Sequence, residues 1–152
     1  MIEGRAGMAF RTSLKVSIND IDHAGIVYYP RFFNYFHVAL EEFFSREIGV
    51  DYPALVVNHR IGFPTVHLET DFKRPLRFGD KLEVEVSVEA VGKTSITFTY
   101  VISLLGKAEV AGRGKNVMVC FDLDIFKKKD IPGWLREKLI AYQKHQGGGL
   151  NR

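Results

Sequence analysis

Two carboxylates, Asp20 and Asp22, stand in the stretch NDIDHAGIVYYPRFFNYF (residues 19–36), just ahead of one of the most aromatic segments of the chain. A loop acid that needs only water gains nothing from such neighbours. A carboxylate held beside a reacting carbonyl can attack its carbon or take a proton from water. Gly25 permits a turn that other residues resist. Tyr29, seven residues after Asp22, lies where a helix is predicted to begin. The first N–H groups of a helix lack internal partners and carry the positive end of its dipole. A carbonyl oxygen lodged there would be polarised, an effect worth about 3 kcal/mol of barrier per donor in other enzymes. Carboxylate plus helix N-terminus is a minimal acyl-transfer site, with no call for a metal or a serine triad. The same residues have a plainer reading, because an aspartate before a helix also serves as a cap or turn former. Spacing does not say which acid would act, and His23 is equally an acid–base group or an exposed turn residue.

Such a site needs elements to position it. Leu14, Val16 and Ile18 alternate within residues 10–19, which predicts a half-buried strand. From about Pro30 to Ile48 the rhythm changes. Tyr29, Phe32, Phe33, Phe36, Leu40, Phe43 and Phe44 recur at helical spacing, with Tyr28 and Tyr35 beside the stripe. Pro30 suits the first helical position and Gly49 the residue just past the end. Strands are then predicted at 66–72, 81–91, about 94–105 and 116–122, with a weaker one near 55–61. The turns at 77–80, 91–94 and 105–109 are short, which favours antiparallel neighbours. Trp134, Leu135, Leu139 and Tyr142 mark a C-terminal amphipathic helix. One alternating sheet has one apolar face, and only the aromatic helix is large enough to cover it. The expected architecture is α+β, a curved antiparallel sheet wrapped around one long buried helix, with a short helix at the end.

Composition fits one domain over residues 8–146. With 152 residues the chain can bury a core without disulfides or metal. The charge balance of 21 − 18 = +3 is too mild to argue for nucleic acid, and no basic stripe with stacking aromatics appears. It would help hold an anionic small molecule. A single cysteine, Cys120, excludes a disulfide framework and a zinc cluster, and points to a reducing, cytoplasmic setting. No apolar run approaches the roughly 20 residues of a membrane span. Ile2-Glu3-Gly4-Arg5 is a protease cleavage sequence used in fusion proteins, so residues 1–7 are set aside as an expression scar. Residues 147–152 are expected to form a loose tail.

The segment DIDHAGIVYYPRFFNYF resembles the active-site stretch of the hydroxybenzoyl-CoA thioesterase family of hot-dog-fold enzymes. Its pattern is Asp, one residue, Asp, two residues, Gly, an aliphatic pair, two aromatic residues and a helix. Residues 74–102 resemble the family's second recurrent stretch, in the same order. The resemblance implies an acyl-CoA thioesterase that releases a free acid and coenzyme A, with no cofactor beyond the coenzyme A of the substrate. It maps the catalytic aspartate, nucleophile or general base, onto Asp22. The carbonyl-polarising N–H maps onto Tyr29, the turn glycine onto Gly25, and a supporting acid onto Asp20. Several relatives have proline where this chain has His23.

For the coenzyme A phosphates and pantetheine amides, Lys93, Thr94 and Ser95 match by position a turn that holds the nucleotide in some relatives. Arg77, Lys127 and Lys128 are further candidates, and the surface-charge reading stands beside each. Thr65 and His67 map near the acyl pocket, where they could come from a partner subunit. The resemblance also implies a homodimer made by pairing sheet edges, or a homotetramer of two such dimers. Two other functions remain open. An enoyl-thioester hydratase or dehydratase would use an acid–histidine pair in an Asp-x-Asn-x-x-His context, which is absent here. A non-catalytic acyl-CoA-binding protein would bind without turnover.

Overall fold

A computed structural model describes residues 9–146. The expectations for residues 1–7 and 147–152 lie outside the described residues. Five strands form one antiparallel sheet in the order β1-β4-β5-β6-β3. They are β1 (Phe10–Lys15), β3 (Thr65–Phe72), β4 (Lys81–Val91), β5 (Ser95–Leu104) and β6 (Val110–Val119). Helix α1 (Arg31–Glu42) runs into a π-helical turn, Phe43–Ile48, and stops at Gly49. Gly49 adopts φ +77°, the left-handed conformation that suits glycine at a helix end. The sheet curls around this helix in the hot-dog arrangement.

The two periodicities explain the core. Leu82, Val84, Val86 and Val88 of β4, and Ile96, Phe98, Tyr100 and Ile102 of β5, all point inward and are buried. They meet Phe32, Phe36, Leu40, Phe43 and Phe44 of the long helix. Tyr35 also turns inward, whereas Tyr28 and Tyr29 are largely exposed. The helix starts at Arg31, one residue later than predicted, with Pro30 as its cap.

Several sequence expectations are corrected. The first strand ends at Lys15, and a 3₁₀ turn over Ile18–Asp20 follows, leaving Ile18 exposed. Ser17 and Asp20 form a reciprocal capping box that stabilises this turn in place of strand pairing. The segment near 55–61 holds the last turn of helix α2 (Tyr52–Val57), a turn over 58–60 and the first residue of β2 (Ile61–Gly62). Strand β6 begins at Val110, six residues before the predicted start, because Gly112 and Gly114 hide its alternation. Beyond Cys120 the chain joins a second small sheet, β2-β7-β8, through β7 (Phe121–Asp122) and β8 (Lys127–Lys128). In helix α3 (Gly133–His145), Leu135, Leu139 and Tyr142 are buried but Trp134 is exposed.

Helix α3 is sewn to β4 through side chains. The Tyr142 hydroxyl accepts from the Phe10 N–H at 2.7 Å and donates to the Val86 carbonyl at 2.6 Å. Past Val88 the β4–β5 register shifts. There the Gln146 amide accepts from the Val88 N–H and donates to its carbonyl, at 3.0 and 2.5 Å. These contacts satisfy backbone groups that would otherwise be buried without partners. No helix among the described residues is long and apolar enough to cross a membrane.

Candidate active site

Residues 20–31 link the end of the 3₁₀ turn to α1. An isolated bridge pairs Ile21 with Val27, so the intervening residues form a tight hairpin. The Gly25 N–H donates to the Asp22 carbonyl and the Asp22 N–H to the Ile26 carbonyl, both at 3.0 Å. Gly25 adopts φ +82°, which this turn requires and a side chain resists. His23 takes the second position of the turn, one that also suits proline. It is exposed, with no side-chain hydrogen bond among the described residues. The turn therefore forms with histidine where several relatives have proline.

The two acids have different surroundings. Asp20 is 8% exposed. Its Oδ2 accepts from the Ser17 N–H at 2.9 Å and from the Tyr35 hydroxyl at 2.8 Å, and Arg31 Nε lies 3.9 Å from its Oδ1. Burial first, and then Asp20, push the Tyr35 phenol well above its ordinary range, so it remains a donor. Asp22 is only half-buried. Its Oδ1 accepts from the Ala24 N–H at 2.8 Å, and its Oδ2 has no protein donor among the described residues. Among the described residues, Asp20 is held on several sides, whereas Asp22 keeps one carboxylate oxygen open.

The helix entry shows a similar division of labour. The Tyr28 N–H donates to the Asp20 carbonyl at 2.9 Å. Pro30 has no N–H, and the Arg31, Phe32 and Phe33 N–H groups bond back to residues 28–30. Between them, the Tyr29 N–H has no acceptor among the described residues. It is a backbone donor left open at the positive end of α1.

An exposed aromatic wall adjoins this donor. Tyr28 and Tyr29 are 5.4 Å apart by ring centroids, Tyr29 meets Phe72 edge-on at 6.0 Å, and Phe72 meets the buried Phe32 at 5.0 Å. Sequence reasoning placed Tyr29 in the core stripe and gave Phe72 no role. Phe72 was legible only as one more alternating strand residue.

The remaining candidates fall into two groups. Arg77 lies at the Asp22 end, because the adjacent Leu76 carbonyl accepts from the Val27 N–H. Its side chain is exposed. Lys93, Thr94, Ser95, Lys127 and Lys128 gather at the other end of the sheet. There the Thr94 carbonyl accepts from the Cys120 N–H, the Lys93 carbonyl from Ile131, and the Cys120 carbonyl from Lys129. Lys93 is 3.9 Å from Asp130, while Lys127 and Lys128 have no ion pair among the described residues. Strand β4 separates the two ends, and its 11 residues span about 35 Å. One chain therefore does not bring these lysines to Asp22.

Thr65 and His67 sit on β3, an edge of the sheet, with Thr65 at the lysine end and Phe72 at the Asp22 end. Tyr100 donates to Asn116 at 3.0 Å and Asn116 to the Thr65 hydroxyl at 3.2 Å, a chain that runs from the core to the exposed edge and that sequence reasoning missed. His67 is exposed and 3.1 Å from Glu69.

Residues 16–139 match the family model of the thioesterase-like superfamily. A 1,4-dihydroxy-2-naphthoyl-CoA hydrolase of Nostoc punctiforme is 29% identical over 146 residues, covering 95% of this chain and 96% of that one. The structure of a 1,4-dihydroxy-2-naphthoyl-CoA thioesterase from Synechocystis superposes with a TM-score of 0.79 at 24% identity, covering 95% and 98% of the two chains. A gentisyl-coenzyme A thioesterase superposes at 0.77 with 26% identity, covering 86% and 99%.

Proposed function

The chain belongs to the thioesterase-like superfamily, and from that premise we propose that it hydrolyses aryl-CoA thioesters, with Asp22 as nucleophile or general base. The observation that carries this reading is the pairing, among the described residues, of a half-buried carboxylate with one oxygen lacking a donor and a helix-entry N–H lacking an acceptor. The thioester carbonyl accepts from the Tyr29 N–H, which stabilises the charge that grows on its oxygen as the nucleophile adds to its carbon. Asp22 either attacks that carbon, so that the C–S bond breaks and the coenzyme A thiolate leaves an anhydride that water then opens, or takes the proton of a water whose attack expels the thiolate directly. Both routes end in a free acid and coenzyme A. An aryl acyl group is supported by the exposed Tyr28, Tyr29 and Phe72 rings, which offer edge and face contacts, and by the aromatic acyl groups named for the relatives.

The active unit in this proposal is a dimer joined through β3. Its eight residues form an uncovered edge that exposes Val66, Leu68 and Phe72. Antiparallel pairing of two such edges across a two-fold axis reverses their ends. The partner's Thr65 end, with its Lys93 and Lys127 cluster, then faces this chain's Phe72 and Asp22 end. That would add the partner's lysines to the Arg77 that this chain already holds at its Asp22 end.

The test is steady-state hydrolysis of benzoyl-, hydroxybenzoyl- and straight-chain acyl-CoAs by the parent and Asp22→Asn. Loss of turnover in the variant with retained fold supports the reading. Undiminished turnover removes Asp22 from the mechanism, and binding without turnover by the parent would favour a non-catalytic role. The hydratase alternative is weakened by His23, which faces solvent without a carboxylate partner.

A further inference from the structure

We propose that Tyr35 and Asp20 are positioning residues that aim the Tyr29 N–H, acting as a clamp between the middle of α1 and the connection before it. The proposal rests on the hydrolase reading above. Tyr35 is 4% exposed, and its hydroxyl reaches back 15 residues to Asp20. Asp20 is held by Tyr35 and the Ser17 N–H on one carboxylate oxygen, by Arg31 near the other, by its own N–H on the Ser17 carbonyl and by the Tyr28 N–H on its carbonyl. The last of these bonds determines which donor stays open. With the Tyr28 N–H consumed and Pro30 lacking one, the Tyr29 N–H is the open donor of residues 28–30.

The clamp therefore couples α1, which is locked in the core, to the peptide that meets the carbonyl. If Tyr35 lets go, Asp20 keeps its Ser17 bond and its ion pair with Arg31 at the start of α1 but loses its hydrogen bond to the middle of the helix. The peptide between Tyr28 and Tyr29, still held at its carbonyl by the Arg31 N–H, can then tilt about that bond. A donor misplaced by about 1 Å can cost up to about 100-fold in rate. The clamp touches neither the phosphates nor the acyl group, so substrate affinity should be spared.

Tyr35→Phe removes only the hydroxyl. Tyr142→Phe is the control, because it removes an equally buried hydroxyl that bridges Phe10 and Val86 in another part of the core. We expect Tyr35→Phe to lower kcat for the best acyl-CoA by about 10- to 100-fold with KM within about twofold. Tyr142→Phe should lower thermal stability comparably and leave kcat within about twofold. Asp20→Asn retains an acceptor oxygen and should approach the parent, whereas Asp20→Ala should behave like Tyr35→Phe. Amide hydrogen exchange at Tyr28 gives a reading that needs no turnover. Its protection should fall in Tyr35→Phe and hold in Tyr142→Phe. Equal kcat losses in the two tyrosine variants, or unchanged Tyr28 protection, overturn the clamp. An inactive parent whose Tyr28 amide still responds overturns the hydrolase reading alone.

Discussion

Phe36 packs its ring directly against the bare Cα of Gly114, the β6 residue opposite Tyr100 on β5. The same ring stacks on Tyr100, with centroids 4.7 Å apart and planes at 17°. A methyl group at residue 114 would collide with this ring and have to push it off its stack. Two residues earlier, a β-carbon at Gly112 would lie 2.9 Å from Cε2 of Phe32. The helix thus seats on β6 through two glycines. Gly114→Ala is expected to cost about 1–3 kcal/mol by overpacking. Urea denaturation of the variant measures this, and combining it with Phe36→Leu should recover part of the loss.

Asp22→Asn should leave folding nearly intact, since the amide oxygen can still accept from the Ala24 N–H and the residue is half-buried. Turnover should fall by roughly 100-fold or more. Asp20→Ala should show the opposite balance in stability. It strands the Ser17 N–H and the Tyr35 hydroxyl, at a cost of about 1–3 kcal/mol. Thermal denaturation alongside kcat separates the two acids.

Leu68→Lys, or Val66→Lys, places a charge on the exposed β3 edge and should shift the protein towards monomer in sedimentation velocity. If the site is shared across that edge, kcat/KM for acyl-CoA falls with dimer content even though Asp22 and Tyr29 are untouched. Monomers that hydrolyse as fast as the parent would falsify the shared site.

Stability should decline in alkali. Burial pushes the Cys120 thiol from 9.0 up to about 11 and the Tyr52 phenol from 10.0 to about 12. Burial also raises the Tyr100 and Tyr142 phenols. For each group the folded state holds its proton more tightly than the unfolded chain. The contribution is therefore complete below about pH 9 and is lost as pH climbs through the raised values. Melting temperatures followed from about pH 8 to 11.5 should be level at first and then fall. A rise across that interval contradicts the assignment.

Much of the fold was legible because hydrophobic period is local. Leu82 to Val88 and Ile96 to Ile102 alternate in the sequence, and the structure buries those residues. The aromatic helix was legible for the same reason, as was its end at Gly49, where the chain needs a left-handed residue. Strand β6 was cut short because Gly112 and Gly114 carry no side chain to mark a face. Their reason for being glycine lies in Phe32 and Phe36, some 80 residues away in sequence. Ile18 kept the alternation yet left the strand, since the Ser17–Asp20 capping box offered its backbone another set of partners.

The sequence by itself determined the chemistry on offer, namely two acids, a turn glycine and an aromatic helix in that order, because residue types and their spacing are written along the chain. Only the tertiary structure decided how the work is divided between them. It buried Asp20 under Tyr35, left Asp22 with an open oxygen, and set the lysines at the far end of the sheet from both. Burial, hydrogen-bond partners and strand ends depend on contacts between residues remote in sequence, and no local pattern encodes those contacts.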